Sequence, residues 1–371
     1  MAAYDPVTVV GNGVAGFACA ARLASAGVPV ELIGPGLPCD RPPLSKRALM
    51  RRRVPYLTDA RTLEAAGIDH VDGWADGLDL GRRVLTVRAR EGGPASERSF
   101  GRLVWATGLE IAQPSVPGIE STNQNVDAAS TEALLPRLAE PGRRVVVIGA
   151  GLIGCETAAT LSRRHKVTLL DRAHHVLGRR HPDVVRAAER VLATRGARFL
   201  GGCELTSTNR SGEGWTVRTS THGDLRADVV IAATGIRATL PPALGGGLHV
   251  DTDERLRVCG ADRVWACGDV AAFPHPRFGR IAIPHWDNAR AGGAHVADSV
   301  LGAPAPYTRD PYWFSDIGPL RIQQIGFAAA ACEWERRDDL HVGRDDQGRP
   351  TCVVLLNAPG RLNDARRMIA A

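Results

Sequence analysis

The chain has 371 residues, 44% of them hydrophobic and 23% charged, enough for two or three domains with sizeable cores. Its eight cysteines, at 19, 39, 155, 203, 259, 267, 332 and 352, are scattered without a CxxC, so neither a disulfide framework nor a metal centre is expected. The net charge of +6 comes with no nucleic-acid motif, and no apolar run approaches the ~18 residues needed to cross a membrane. The first six residues are followed at once by an apolar strand, so no secretory leader is expected and the cytoplasm is the expected location.

In chain order, Val7 to Val10 is a short continuous apolar run, the pattern of a buried parallel strand. GNGVAG follows, with Gly11, Gly13 and Gly16. An apolar helical pattern from Phe17 to Ala24 then stops at Gly27, and Val30 to Ile33 reads as a second strand. In such a unit the first glycine makes the tight turn, the second admits a pyrophosphate to the backbone, and the third lets helix and strand pack closely. The helix N-terminus offers free N–H groups and a positive dipole end to the phosphates.

The pattern recurs 138 positions later. Arg144 to Ile148 is a strand, GAGLIG carries Gly149, Gly151 and Gly154, Cys155 to Arg163 is helical, and Val167 to Leu170 is the next strand. Asp171 follows it, 22 positions after Gly149, where a carboxylate accepts hydrogen bonds from an adenosine ribose. Two complete strand–turn–helix–strand units in one chain predict two dinucleotides, and FAD with NAD(P)H is the usual pair. The predicted fold class is α/β, with two Rossmann-like domains. Gly302 to Pro306 reads as a linker on composition alone.

Several further segments carry a resemblance. They are LPCDRPPLSK (37–46), VWATG (104–108), AATG (232–235), ACGDVAAFPHPRFGRIAIPHWDNARAGG (266–293) and PYWFSD (311–316). With the two glycine turns they resemble the ferredoxin and rubredoxin reductase branch of the FAD-dependent pyridine nucleotide oxidoreductases. The resemblance implies a discontinuous FAD domain, here 1–113 and 237–302, an inserted NAD(P) domain at 114–236, and a small C-terminal α+β domain at 303–371 that covers the flavin. It implies that Asp269 binds the flavin's ribityl chain and that Arg41 and Lys46 contact the flavin or its phosphates. Trp286 would lie near the flavin, the backbone at Ala75 would read the adenine, and Gly108 and Gly235 would line the two dinucleotides. Glu156 matches a glutamate beside the nicotinamide, and an ion pair between Lys46 and Glu156 close to flavin N5 is expected. A simpler reading makes Glu156 a first-turn carboxylate favoured by the helix dipole.

Asp171 favours NADH over NADPH by repelling a 2′-phosphate. Arg172, His174, His175, Arg179 and Arg180 form a basic cluster that could instead bind that phosphate, and Arg179 matches an arginine found in NADH enzymes too. Hydride transfer from NADH to the flavin and single-electron release to an acidic ferredoxin-like carrier that supplies an oxygenase is the implied activity. Monomer and homodimer are both compatible with it.

The sequence also departs from the pattern. Gly34 stands where the flavin fold's acid is usual, Cys39 replaces an aromatic, Glu110 and Ala112 replace arginines, Pro284 replaces a glutamate, and Trp313–Phe314 inverts the aromatic order. A one-residue move in a strand turns a side chain to the opposite face. These changes leave open a stand-alone flavoenzyme acting on oxygen or a small molecule, with Cys39 as a possible redox thiol. A flavoprotein that only senses NADH is a third reading. A CxxxxC pair is absent, which argues against disulfide-reductase chemistry.

Overall fold

A computed structural model describes residues 6–41, 44–123, 127–178, 180–303 and 305–370, apart from the side chains of Ile111 and Ser121. The chain divides into two compact units. The first comprises residues 1–41, 55–110 and 237–310, the second 42–54, 111–236 and 311–371.

In the first unit β1 (Val7–Val10), α1 (Val14–Ser25) and β2 (Val30–Ile33) form the predicted unit, and α1 buries Cys19, Ala20 and Leu23. β3 (Ile68–Val71) extends the sheet in parallel, in register from Val30↔Ile68 to Ile33↔Val71. A three-stranded antiparallel sheet follows, of β4 (Gly73–Asp79), β5 (Val84–Ala89) and β6 (Ser96–Ser99), and β7 (Arg102–Trp105) then pairs with β1.

The second unit repeats the plan. β8 (Arg144–Ile148), α2 (Leu152–Leu161) and β9 (Lys166–Leu170) lead to α3 (Pro182–Thr194) and β10 (Arg198–Leu200). Pro182 opens α3 at its first position, where a missing N–H costs nothing. β11 (Leu205–Ser211), β12 (Gly214–Thr219) and β13 (Gly223–Ala227) make an antiparallel sheet, and β14 (Val229–Ala232) returns to give the parallel order β10-β9-β8-β14. Val145 to Ile148 and Val229 to Ala232 are buried without interruption, as in a sheet covered on both faces.

The chain then completes the first unit. β15 (Val264–Ala266) pairs with β7, giving the order β15-β7-β1-β2-β3, and α4 (Trp286–Val300) packs against α1. The remainder belongs to the second unit: β16 (Tyr312–Ile317), β17 (Leu320–Gly326), β18 (Glu333–Arg337), β19 (Leu340–Arg344), β20 (Pro350–Leu356) and α5 (Leu362–Ala370). Its five-stranded antiparallel sheet has the order β16-β17-β20-β19-β18. Ile317, Ile322, Cys352 and Val354 of this sheet join one core with Val145, Ala158, Val184 and Leu192. No helix of the described residues is long and apolar enough to cross a membrane.

Candidate functional site

The first glycine turn is built as a phosphate cradle. Gly11 has φ of 105°, and a Cβ there would meet the Ala106 carbonyl oxygen at 2.3 Å, so only glycine fits. A Cβ on Gly16 would fall 1.7 Å from the Gly11 oxygen, whereas at Gly13 nothing lies within 4 Å. Close packing at two glycines and open space at the middle one is the arrangement a pyrophosphate needs.

Asp269 sits in a short 3-10 turn (Gly268–Val270) after β15. Its Oδ1 is buried without a hydrogen-bond partner. Burial pushes its carboxyl up to about 6, while the charge of Arg41 and the His285 backbone N–H pull the other way. A dry carboxylate oxygen with no donor is costly unless a ligand supplies one. The indole N–H of Trp286, at the first position of α4, is likewise buried with no acceptor. Orphaned acceptor and donor beside an open glycine turn fit a polyhydroxylated, phosphorylated cofactor such as FAD. Gly108 follows β7, and a Cβ there would lie 3.8 Å from Arg41 Nη1. Ala75 stands where the β4–β5 ladder shifts register, between Ala75 and Gly77.

Gly34 marks the missing acid, and its surroundings show why no side chain fits. A Cβ there would lie 2.4 Å from the side chain of Asn12, whose amide donates to the Gly36 and Pro35 carbonyls at 2.5 and 3.3 Å. The parallel register Ile33↔Val71 puts Asp72, the residue after the neighbouring strand β3, beside Gly34. Asp72 Oδ1 accepts the Gly36 N–H at 2.8 Å, and Arg90 lies 3.8 Å from Oδ2. Sequence reasoning missed Asp72, because only strand order makes it a neighbour of Gly34. Cys39 is buried, forms no disulfide, and pairs through an isolated bridge with Tyr56.

In the second unit the glycine turn is nearly superposable in its constraints. Gly149 has φ of 101°, a Cβ on Gly154 would fall 1.8 Å from the Gly149 oxygen, and Gly151 is open. Asp171 Oδ2 accepts the Ala150 N–H at 2.6 Å and Oδ1 the Ala173 N–H at 2.8 Å, so the acid is locked onto its own turn. Gly235 follows β14, and a Cβ there would lie 4.0 Å from Ala112 Cβ. Of the basic cluster, Arg172 and His174 are exposed, and His175 is 3.0 Å from Glu189. Arg180 stacks over Trp313 at 4.1 Å, and burial lowers its pKa. Arg179 lies outside the described residues.

Glu156 is buried in the second turn of α2, not the first, so the helix dipole is not what holds it. Four donors do. Lys46 Nζ lies 2.9 Å from Oε1, the Asp316 N–H donates to Oε1 at 3.2 Å, Ser45 Oγ donates to Oε2 at 2.5 Å, and Ser315 Oγ donates to Oε1. Lys46 also lies 3.6 Å from Asp316, which accepts from Arg321 at 3.0 Å. The five-residue π-helix Leu44–Ala48 carries Ser45 and Lys46 to this point, and β16 carries Ser315 and Asp316. Along β16 the inverted aromatics face opposite ways. Trp313 packs on the core and under Arg180, while Phe314 lies 5.6 Å from Lys46 Nζ and 4.7 Å from the Arg321 guanidinium.

Residues 5–293 match the family model described as pyridine nucleotide-disulphide oxidoreductase, and the chain belongs to that family. It is 32% identical to the anthranilate 1,2-dioxygenase system ferredoxin–NAD(+) reductase component of Burkholderia cepacia, over 99% of this chain and 94% of that one. The chlorobenzene dioxygenase ferredoxin reductase component of Cupriavidus sp. (strain PS12) is 30% identical, over 98% and 92%. Among solved structures, the ferredoxin reductase for the CYP199A2 system from Rhodopseudomonas palustris aligns with a TM-score of 0.83 at 25% identity, covering 95% of this chain and 91% of that one. The two-dinucleotide α/β fold is thereby shown. Among the described residues no cysteine is in a disulfide, and burial raises the thiol pKa of Cys19, Cys155, Cys267 and Cys352.

Proposed function

We propose that this chain is an FAD-dependent NADH reductase that hands electrons singly to an acidic [2Fe–2S] ferredoxin in the cytoplasm, for use by an oxygenase. The observation that carries the reading is Asp269, whose buried oxygen without a partner lies in the same unit as an open phosphate cradle. We assign flavin binding to residues 1–113 and 237–302, NADH binding to 114–236, and the C-terminal domain to 303–371. FAD, when bound, supplies two-electron acceptance and one-electron release.

The chain's own residues hold and orient. Gly11, Gly13 and Gly16 receive the flavin pyrophosphate at the N-terminus of α1, with Arg41 adding charge. Asp269 accepts ribityl hydroxyls, and Trp286 offers its indole N–H. Ala75 presents backbone to the adenine, Gly108 lines the flavin, and Asp72 replaces the missing ribose acid. Gly149, Gly151 and Gly154 receive the NADH pyrophosphate, and Gly235 lines that side. Asp171 accepts the adenosine ribose through its remaining lone pairs. With Arg180 committed to Trp313, the basic cluster retains Arg172 and, from its place in sequence, Arg179 for the phosphates. NADH is favoured because Asp171 would repel a 2′-phosphate. Glu156, held by its donors, fixes Lys46, and the pair would lie close to flavin N5 and help place the nicotinamide. Positioning of this kind is the protein's main contribution to hydride transfer. The net charge of +6 complements an acidic carrier, and a monomer or a homodimer would serve equally.

The test is a spectrum of the purified protein under anaerobic conditions, then with NADH, then with oxidised ferredoxin. A flavin band that bleaches and returns as ferredoxin is reduced supports the reading. Return only with oxygen would favour a stand-alone flavoenzyme, and protein that binds no flavin would overturn the assignment.

A further inference from the structure

Three side chains of the second unit converge at a place none of the dinucleotide assignments uses. His181 caps α3, Asp183 lies in its first turn, and His341 stands on β19 of the C-terminal sheet. One candidate donor atom from each lies within 4.8 Å of the other two. His341 Nδ1 is 3.4 Å from Asp183 Oδ2. That is long for a charge-assisted hydrogen bond, which runs about 2.7–2.9 Å. It matches the edge of a tetrahedron, about 3.3–3.4 Å, whose ligands sit about 2.0–2.1 Å from a zinc ion.

We infer that His181, Asp183 and His341 bind one divalent transition-metal ion of the zinc type. Two imidazoles and one carboxylate suit Zn2+ or Co2+ and leave a fourth vertex for water, whereas Mg2+ and Ca2+ call for oxygen ligands. The two histidine rings lie 4.5 Å apart, and Trp334 closes the other side of His181 at 4.6 Å. Burial lowers the pKa of both histidines, which keeps ring lone pairs available against the opposing pull of Asp183. The neighbouring cations are Arg186 and Arg336. Arg186 holds the other carboxylate oxygen, Oδ1, and so orients Oδ2, as outer-shell partners of metal ligands do. His181 Nδ1 accepts the Asp183 N–H at 3.2 Å, so ligation through it exchanges one long capping bond for a metal bond. The ion ties the start of α3, and with it the end of the segment that begins at Asp171, to the C-terminal sheet.

The test uses the purified full-length protein, stripped with chelator and dialysed to equilibrium against Zn2+, with bound metal quantified. One ion per chain is expected. His181→Asn, Asp183→Asn and His341→Ala should each weaken binding by at least about tenfold, the scale on which even outer-shell losses act. Asn at 181 keeps a favoured helix cap, so its effect reports ligation and not loss of the helix. If His341→Ala fails to fold, the other two variants decide. A thermal midpoint that rises with Zn2+ in the native protein and not in the variants is a second supporting readout. Substoichiometric zinc in the native protein, or one-equivalent binding that survives His181→Asn and Asp183→Asn, overturns the inference.

Discussion

The two glycine turns have almost the same backbone and different carboxylates. Their first glycines have φ of 105° and 101°, and their third glycines leave 1.7 and 1.8 Å for a Cβ. Beyond that they diverge. After β9 stands Asp171, locked onto its own turn, whereas after β2 stands Gly34 beneath Asn12, with an acid just past the neighbouring strand at Asp72. In the second turn of α2 stands the buried Glu156, and the matching place in α1, 138 residues earlier, is Ala18. Glycine spacing thus dictates a phosphate cradle and nothing about what else the cradle serves. Chemistry enters through side chains that the motif does not specify.

The largest expected effect treats both turns alike. Gly16→Ala and Gly154→Ala drive a Cβ into backbone oxygen, and each should cost more than ~4 kcal/mol, read as failure to fold or a collapsed denaturation midpoint. Gly13→Ala and Gly151→Ala meet open space, so the protein should stay folded while affinity falls, for flavin in the first case and NADH in the second. Loss of the same cofactor from both variants would break the assignment of the two turns.

Lys46→Ala separates the turns, since it strands the buried Glu156 of the second and touches nothing at the first. Removing one partner of a buried pair should cost ~3–5 kcal/mol. The surviving Ser45 and Ser315 hydroxyls place the loss at the lower end. Stopped-flow bleaching should slow while equilibrium flavin content holds.

Asp269→Asn sharpens the first unit's side. The Asp269 carboxyl, raised to about 6, keeps a proton that the unfolded chain has already released. Stability of the flavin-free protein therefore falls as pH rises from about 4 to about 6. The variant should erase that fall and raise stability by ~2 kcal/mol at pH 8, while weakening flavin binding. Denaturant titrations at pH 4 and pH 8 check the sign. The smallest effect is expected for Asp72→Asn, a loss of a few-fold in flavin affinity. No change there would return the ribose to some other group.

What could be read in advance depended on separation along the chain. The strand–turn–helix–strand units are local, so Gly11 to Ile33 and Gly149 to Asp171 announced themselves. The opposite facings of Trp313 and Phe314 followed from strand alternation alone. The ion pair of Lys46 and Glu156 was expected only through resemblance, because 110 positions lie between them. Ser45 and Ser315 as further donors gave no signal, and the dipole explanation of Glu156 failed because it counted turns from Cys155 and not from Leu152. The His181–Asp183–His341 cluster was equally hidden, since only the H-x-D half is contiguous.

The chain passes from one compact unit to the other five times. During synthesis, then, neither unit can close when its first glycine turn emerges. The first must wait for residues up to 310, and Glu156 stays without two of its donors until Ser315 and Asp316 leave the ribosome. Domains that fold as units during translation need contiguous sequence. Here cutting the chain at 54/55, 110/111 or 236/237 splits both units and should give fragments that cannot finish either core, and coexpressed halves should recover activity only if they reassemble.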